Sequence, residues 1–289
     1  MRTTRSAKRG RSPSNRPERD TTRRGRGVAT PVPATPALAA PAALAPTSLR
    51  FSTPTPTPHP FPGGAFPPRL GASPLRLLIT GSNPSAASAA AGHAYAHPTN
   101  RMWPILRATG LAPPGLISGP ADDVCMPALA GVGFLDVGHG HAETQCARLT
   151  PSLWAAFVPA YFSRLTAHAA AAAVAAGCVC GRGGGGGGGA SSCGAPGIIA
   201  FAGKAQWQAL FKAAGVAAPP CQYGSQPAAV RPPGWPWPVG SGGGGPAVWV
   251  LTSTSGAAAL SNEAREAPWR ALAAAVGGWP RGPPACRGR

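Results

Sequence analysis

Leu75-Arg76-Leu77-Leu78-Ile79-Thr80-Gly81 is a short apolar run halted by glycine, the pattern of a strand buried on both faces. Three further runs resemble it, at 132–137, 197–202 and 247–252. Helix-compatible stretches fall between them. Pro98 opens one carrying Trp103, Leu106 and Arg107, and Thr150-Pro151 makes an N-cap and first-turn pair for a helix running towards Ala176. Another follows Gly203, with Trp207, Leu210 and Phe211 on one face, and the last, about 262–276, carries Trp269, Leu272 and Val276. Strands alternating with helices predict an α/β domain, a parallel sheet covered on both faces. In such a sheet ligands bind beyond the carboxyl ends of the strands. Attention therefore goes to the segments after Thr80, Val137, Ala202 and Thr252.

Outside these runs the composition changes. The 289 residues include 40 Gly and 37 Pro, too many for one uniformly packed unit. Residues 1–27 hold nine arginines and one lysine against two acids, and residues 28–70 are rich in Pro, Ala and Thr. Neither stretch has a helix or strand period, so 1–70 reads as a disordered tail. The core is expected over 74–280, interrupted by a Gly-rich insertion at 177–196 and a Pro/Trp/Gly-rich insertion at 226–246. A short basic tail, 281–289, ends the chain. Long loops between elements cost little stability.

The net charge is +18, and 16 basic residues against six acids lie beyond residue 27. A polyanionic partner follows from this surplus, though Arg-rich composition also arises from G+C-rich coding sequence. The Arg-rich start fits a nuclear-localisation or nucleic-acid tether, and equally a chloroplast or mitochondrial transit peptide. No run reaches the ~18 apolar residues of a membrane span, so no membrane partner is expected. The seven cysteines are irregularly spaced without a C-x-x-C pair, which favours reduced thiols over a metal site.

After the first strand comes Gly81-Ser82-Asn83-Pro84-Ser85, and then Gly92-His93-Ala94-Tyr95-Ala96-His97-Pro98-Thr99-Asn100-Arg101-Met102-Trp103. This pairing resembles the mismatch-specific uracil/thymine-DNA glycosylase family, whose members carry G-I-N-P-G followed by G-H-x-[FY]-x-H-P-x-N-R-F-W. Weaker likenesses follow in the same order: Gly131–Asp136, Phe201–Lys204, Tyr223–Pro227 and Val248–Ala257. The resemblance implies a three-layer α/β/α sandwich on a short, mainly parallel four-stranded sheet. It implies a monomeric, monofunctional glycosylase that excises uracil, thymine or a modified pyrimidine from mismatched double-stranded DNA. Such an enzyme starts base-excision repair, hands an abasic site to downstream repair enzymes, and needs neither cofactor nor metal. A nuclear location goes with that activity.

The same resemblance assigns roles residue by residue. Asn83 corresponds to the residue that positions the attacking water; an amide orients water but is no strong general base. Tyr95 corresponds to the aromatic that stacks on the everted base, which must leave the duplex to be reached. Ser82, Ser85 and Ser88 belong to the implied base pocket, Ser88 near the pyrimidine C5 edge. Asp136 either accepts the base N3–H or is an ordinary solvated strand-end carboxylate. Lys204 and the loop Ser253, Thr254, Ser255, Gly256 and Ala257 are the implied DNA contacts, with hydroxyls and backbone N–H groups suited to phosphate. Three departures stand out. Ser85 replaces a glycine, Thr252 a proline, and Ala257 the leucine or arginine that fills the gap left by the base. These departures motivate the alternative of a weak or inactive DNA-binding protein of the same fold. His93 and His97 have no evident chemical role, and His139-x-His141-x-Glu143 reads as a polar loop.

Overall fold

The computed structural model describes residues 66–141, 143, 145–178, 193–237 and 245–277. The tail 1–65, the inner parts of both insertions (179–192 and 238–244) and 278–289 lie outside the described residues.

The element order is β1 (Leu77–Thr80), α1 (Ala86–Ala91), α2 (Met102–Ala108), α3 (Met126–Ala130), β2 (Val132–Phe134), α4 (Pro151–Ala175), β3 (Ile198–Phe201), α5 (Lys204–Ala213), β4 (Gly224–Ser225), β5 (Ala247–Val250) and α6 (Asn262–Val276). The sheet runs β2-β1-β3-β5-β4. Leu77 pairs with Val132 on one side and Ile198 on the other, and Ile198 pairs with Ala247, all parallel. The four expected strands are thus present, but the sheet has five. The fifth, β4, is antiparallel to β5 through Gly224 and Ser225. Its two residues have no apolar side chain, so no hydropathy pattern announces it.

Alternate residues of β1 serve two separate hydrophobic clusters. Leu77 and Ile79 pack with Met102, Trp103, Leu106, Trp269 and Leu272. Leu78 packs with Val158, Tyr161, Leu165, Trp207 and Leu210. A parallel strand enclosed in this way must be apolar at every position, which is why these runs were legible.

Three boundaries differ from expectation. Residues 66–70 are part of the domain: Phe66 is buried, and Arg69 forms an antiparallel bridge with Phe134. Residues 226–237, read as the start of an insertion, contribute Trp237 to the second core, with Trp235 packed against it. Their Pro-rich composition hid two core tryptophans. Helix α2 begins at Met102 rather than Pro98, with Arg101 at its N-cap and the Asn100 side chain accepting from Met102 N (2.9 Å).

The long helix α4 starts as expected, with Thr150 accepting from Leu153 N (3.3 Å) and Pro151 in its first turn. Beyond its end, Cys178 N donates to Ala173 O (2.9 Å). Gly194, on the far side of the glycine run, lies so close to Ala169 and Ala173 that a Cβ has no room. No helix among the described residues is long and apolar enough to cross a membrane.

Candidate functional site

The carboxyl end of β1 turns sharply through Gly81–Ser85 into α1. Ser85 caps that helix: its Oγ accepts from Ser88 N (3.1 Å) and donates to Ser88 Oγ (3.0 Å). Ser88 is buried and also accepts from Ala96 N (3.0 Å), so it braces the chain beside Tyr95. Both serines are therefore engaged in holding local structure. Ser82 is buried too, and its carbonyl accepts from Gly138 N (2.6 Å). Glu143 N donates to Pro84 O (3.1 Å), so the loop after β2 is fastened along the turn after β1.

Asn83 is half-buried beneath that second loop. Its Nδ2 donates to the carbonyls of Pro84 (3.0 Å), His141 (3.2 Å) and Glu143 (2.6 Å). Three carbonyl oxygens around one terminus identify it as the NH2 group. The amide plane is then set, leaving Oδ1 as the acceptor. The segment His139-x-His141-x-Glu143 thus acts through its main chain, while the His141 ring packs on Phe157 (5.5 Å between centroids) and His139 on Phe66 (5.9 Å). Among the described residues no three His, Cys, Asp or Glu side chains gather as a metal site would require.

Tyr95 and Asp136 meet at Gly81. A Cβ on Gly81 would lie 2.8 Å from the Tyr95 hydroxyl and overlap Asp136 Oδ1. Gly81 N donates to that Oδ1 (3.1 Å), so glycine is required both for the bond and for the approach. Burial raises the Asp136 pKa to about 7, outweighing the Gly81 N–H. Burial, followed by the Asp136 and Tyr161 charges, raises that of Tyr95. The Tyr95 hydroxyl is buried without a hydrogen-bond partner. Tyr95 also has φ of +54°, and no other non-glycine described residue has a positive φ. A bulky residue held there is strained by about 1–3 kcal/mol, and such strain gathers at ligand sites.

The surroundings overdetermine that conformation. Ala94 N donates to Asp123 Oδ2 (2.7 Å), Trp103 Nε1 donates to Ala94 O (3.0 Å), and Ala96 N is held by Ser88. Asp123 is fully buried, paired with Arg69 (2.9 Å) and bonded to His93 Nδ1 (3.0 Å). Arg69 also donates to Gly92 O (2.6 Å). His93 thereby acquires a structural role. Little in the composition around Asp123 marks it out. Asp122 and Asp123 are adjacent acids, and only the fold reveals that Asp122 bonds Ser118 at the surface while Asp123 goes inside.

The loop after β5 rests on the same motif. Arg101 N donates to Thr254 O (2.8 Å), and Gly256 lies against Thr99 with no space for a Cβ. Thr252 is buried; its hydroxyl bonds the Arg265 carbonyl, and its own carbonyl accepts from Trp269 Nε1 (3.3 Å). Ser253 accepts from Ser255 N and Ser255 from Ala257 N (3.2 and 3.3 Å). Ser255, Gly256 and Ala257 are exposed. Behind the loop sits Arg265 of α6, another residue missed by sequence reasoning. It is buried and donates to the carbonyls of Ser253 (3.1 Å), Ser255 (2.7 Å), Ala258 (2.9 Å) and Leu260 (3.4 Å). Lys204 stands apart from Asn83 and Asp136 in its contacts: its Nζ lies over the ring of the exposed Tyr223 (4.5 Å).

The structure therefore joins Tyr95, Asp136 and Gly81 directly, and ties Asn83 to the adjoining loop. It joins 253–257 to the Gly92–Trp103 motif through backbone contacts. No model of a known protein family matches the chain, and a search of curated proteins finds none significantly similar.

Proposed function

We propose that this chain is a monofunctional DNA glycosylase that everts and excises uracil, or a related pyrimidine, from mismatched double-stranded DNA. One observation carries the reading: a strained tyrosine and a recessed carboxyl converge on the glycine that opens the turn bearing Asn83. On this reading the two hydrophobic clusters mark the helical layers of an α/β/α sandwich, with the site at the strands' carboxyl ends.

The everted base stacks on Tyr95 and presents its polar edge to Asp136 and the turn amides. Oδ1 of Asn83, oriented by the three carbonyls that hold its NH2, accepts a hydrogen bond from water and directs the water lone pair at C1′. The C1′–N1 bond breaks and its electron pair leaves with the base, whose negative charge spreads over the ring; the water oxygen adds to C1′ and loses one proton to solvent, and the base anion takes up a proton from solvent. N–H groups of the 81–85 turn stabilise that charge. Without a strong general base, turnover is slow.

The exposed methyl of Ala257 fills little of a vacated base stack, and this favours the second reading, a DNA-binding protein with weak or no excision. Uracil release from G·U, G·T and single-stranded substrates decides between them. Wild type is expected to release uracil from G·U and Asn83→Ala at least 100-fold less, with DNA affinity within threefold. Absence of release by wild type that still binds DNA tightly overturns the glycosylase reading.

A further inference from the structure

The three residues before Tyr95 are all held by one buried ion pair. Asp123 accepts from Ala94 N at Oδ2 (2.7 Å) and from His93 Nδ1 at Oδ1 (3.0 Å). Arg69, whose Nε lies 2.9 Å from Oδ2, donates from Nη2 to Gly92 O (2.6 Å). Arg69 is itself bridged to Phe134, which ties the pair to the sheet. Every group facing the carboxyl is a donor, so both its oxygens accept and His93 carries a proton on Nδ1. Its neighbour does different work: Asp122 closes the local turn through Ser118 and the Gly119 N–H, whereas the Asp123 carboxyl makes no contact within that turn.

A buried ion pair adds little net stability, because desolvating both charges consumes most of their attraction. What it can fix is geometry. Tyr95 needs such fixing, since at φ +54° a bulky residue relaxes unless its neighbours are held. Ser88 Oγ holds Ala96 N on the far side (3.0 Å), and Trp103 Nε1 holds Ala94 O (3.0 Å). Asp123 supplies the remaining hold, on the near side. Without it the chain before Tyr95 is free to turn over, taking the ring off Phe134 (5.9 Å between centroids) and the hydroxyl away from Gly81. We propose that Asp123 is a positioning residue of the site: acting through Ala94, with Arg69 and His93 as its partners, it holds the Tyr95 ring in the attitude that receives an everted base. This rests on the reading that Tyr95 stacks on that base, and adds to it a residue that touches no substrate.

The test uses the full chain and a duplex with 2′-fluoro-2′-deoxyuridine opposite guanine, whose fluorine disfavours the sugar cation and keeps the base attached. Binding is followed by fluorescence anisotropy beside an undamaged G·C duplex. Asp123→Asn keeps the shape but turns an NH2 towards donors on one side or the other. It is expected to lose at least about tenfold in affinity for the uracil duplex, with G·C affinity within threefold and circular dichroism unchanged. Added to Tyr95→Ala, the same substitution is expected to cost less than twofold, because its effect runs through a ring that is no longer there. His93→Ala removes a partly exposed partner and decides the matter by the same comparison should Asp123→Asn not fold. Its expected loss is at least about fivefold with the Tyr95 ring present and less than twofold without it. Undiminished affinity for the uracil duplex in the folded variant, or an equal loss with and without the Tyr95 ring, overturns the proposal. Wild type that prefers the uracil duplex while both variants match it overturns the proposal alone. Wild type that neither prefers that duplex nor releases uracil from G·U overturns the glycosylase reading, and the proposal with it.

Discussion

Gly81 is the residue on which the site closes. Alanine there places a methyl against Asp136 Oδ1 and 2.8 Å from the Tyr95 hydroxyl, so both side chains must move. Gly81→Ala is expected to lower uracil release more than tenfold while circular dichroism keeps its α/β signature. Asp136 gives a second outcome. Its pKa is raised on folding to about 7, so the folded chain holds a proton that the unfolded chain releases earlier. The stability linked to that proton is complete below the ordinary carboxylate range and is lost as pH rises through about 7. Asp136→Asn is therefore expected to raise the melting temperature relative to wild type at pH 8 and to change it little at pH 4. Equal shifts at both pH values would argue against a recessed carboxyl.

At the scale of elements, the loop 253–260 owes its shape to one side chain of the following helix. Arg265 collects four carbonyls with a planar fork that a lysine ammonium cannot reproduce. Arg265→Lys is expected to raise KM for duplex substrate about tenfold or more with kcat nearly unchanged, checked by steady-state kinetics on G·U duplex. The pattern would be that of a lost docking surface with intact chemistry. The elements also explain what sequence could reveal. The runs at 75–80, 132–137, 197–202 and 247–252 were readable because strands enclosed on two faces must be apolar throughout. Gly224–Ser225 was not, since backbone pairing alone defines it. Asn83, Tyr95 and Asp136 were singled out by the family resemblance of the motifs that carry them. Arg265 and Asp123 were not, because a charge goes inside only where the fold gathers partners around it, the loop carbonyls for Arg265 and Arg69, His93 and the Ala94 N–H for Asp123. Trp235 and Trp237 were masked by prolines that read as loop.

For the whole molecule, charge is the dominant variable. The first 27 residues supply +8 of the net +18. Each phosphate neutralised contributes about −0.9 to the slope of log K against log salt on duplex DNA. Deleting residues 1–27 is expected to weaken duplex binding at low salt and to flatten that slope by several units. The single-turnover rate on saturating G·U substrate should remain unchanged. An unaltered slope would assign the electrostatic attraction to the domain itself.

Cys178 N bonds Ala173 O, and Gly194 lies against Ala169 and Ala173, so the described chain on both sides of 179–192 meets the same turn of α4. Both points precede β3, at the pole opposite the strands' carboxyl ends. The described residues on either side of 179–192 are thus both held against the last turns of α4. A compact fluorescent reporter could be spliced in place of 179–192, giving a sensor whose light source stands on the scaffold's back while its mouth remains free.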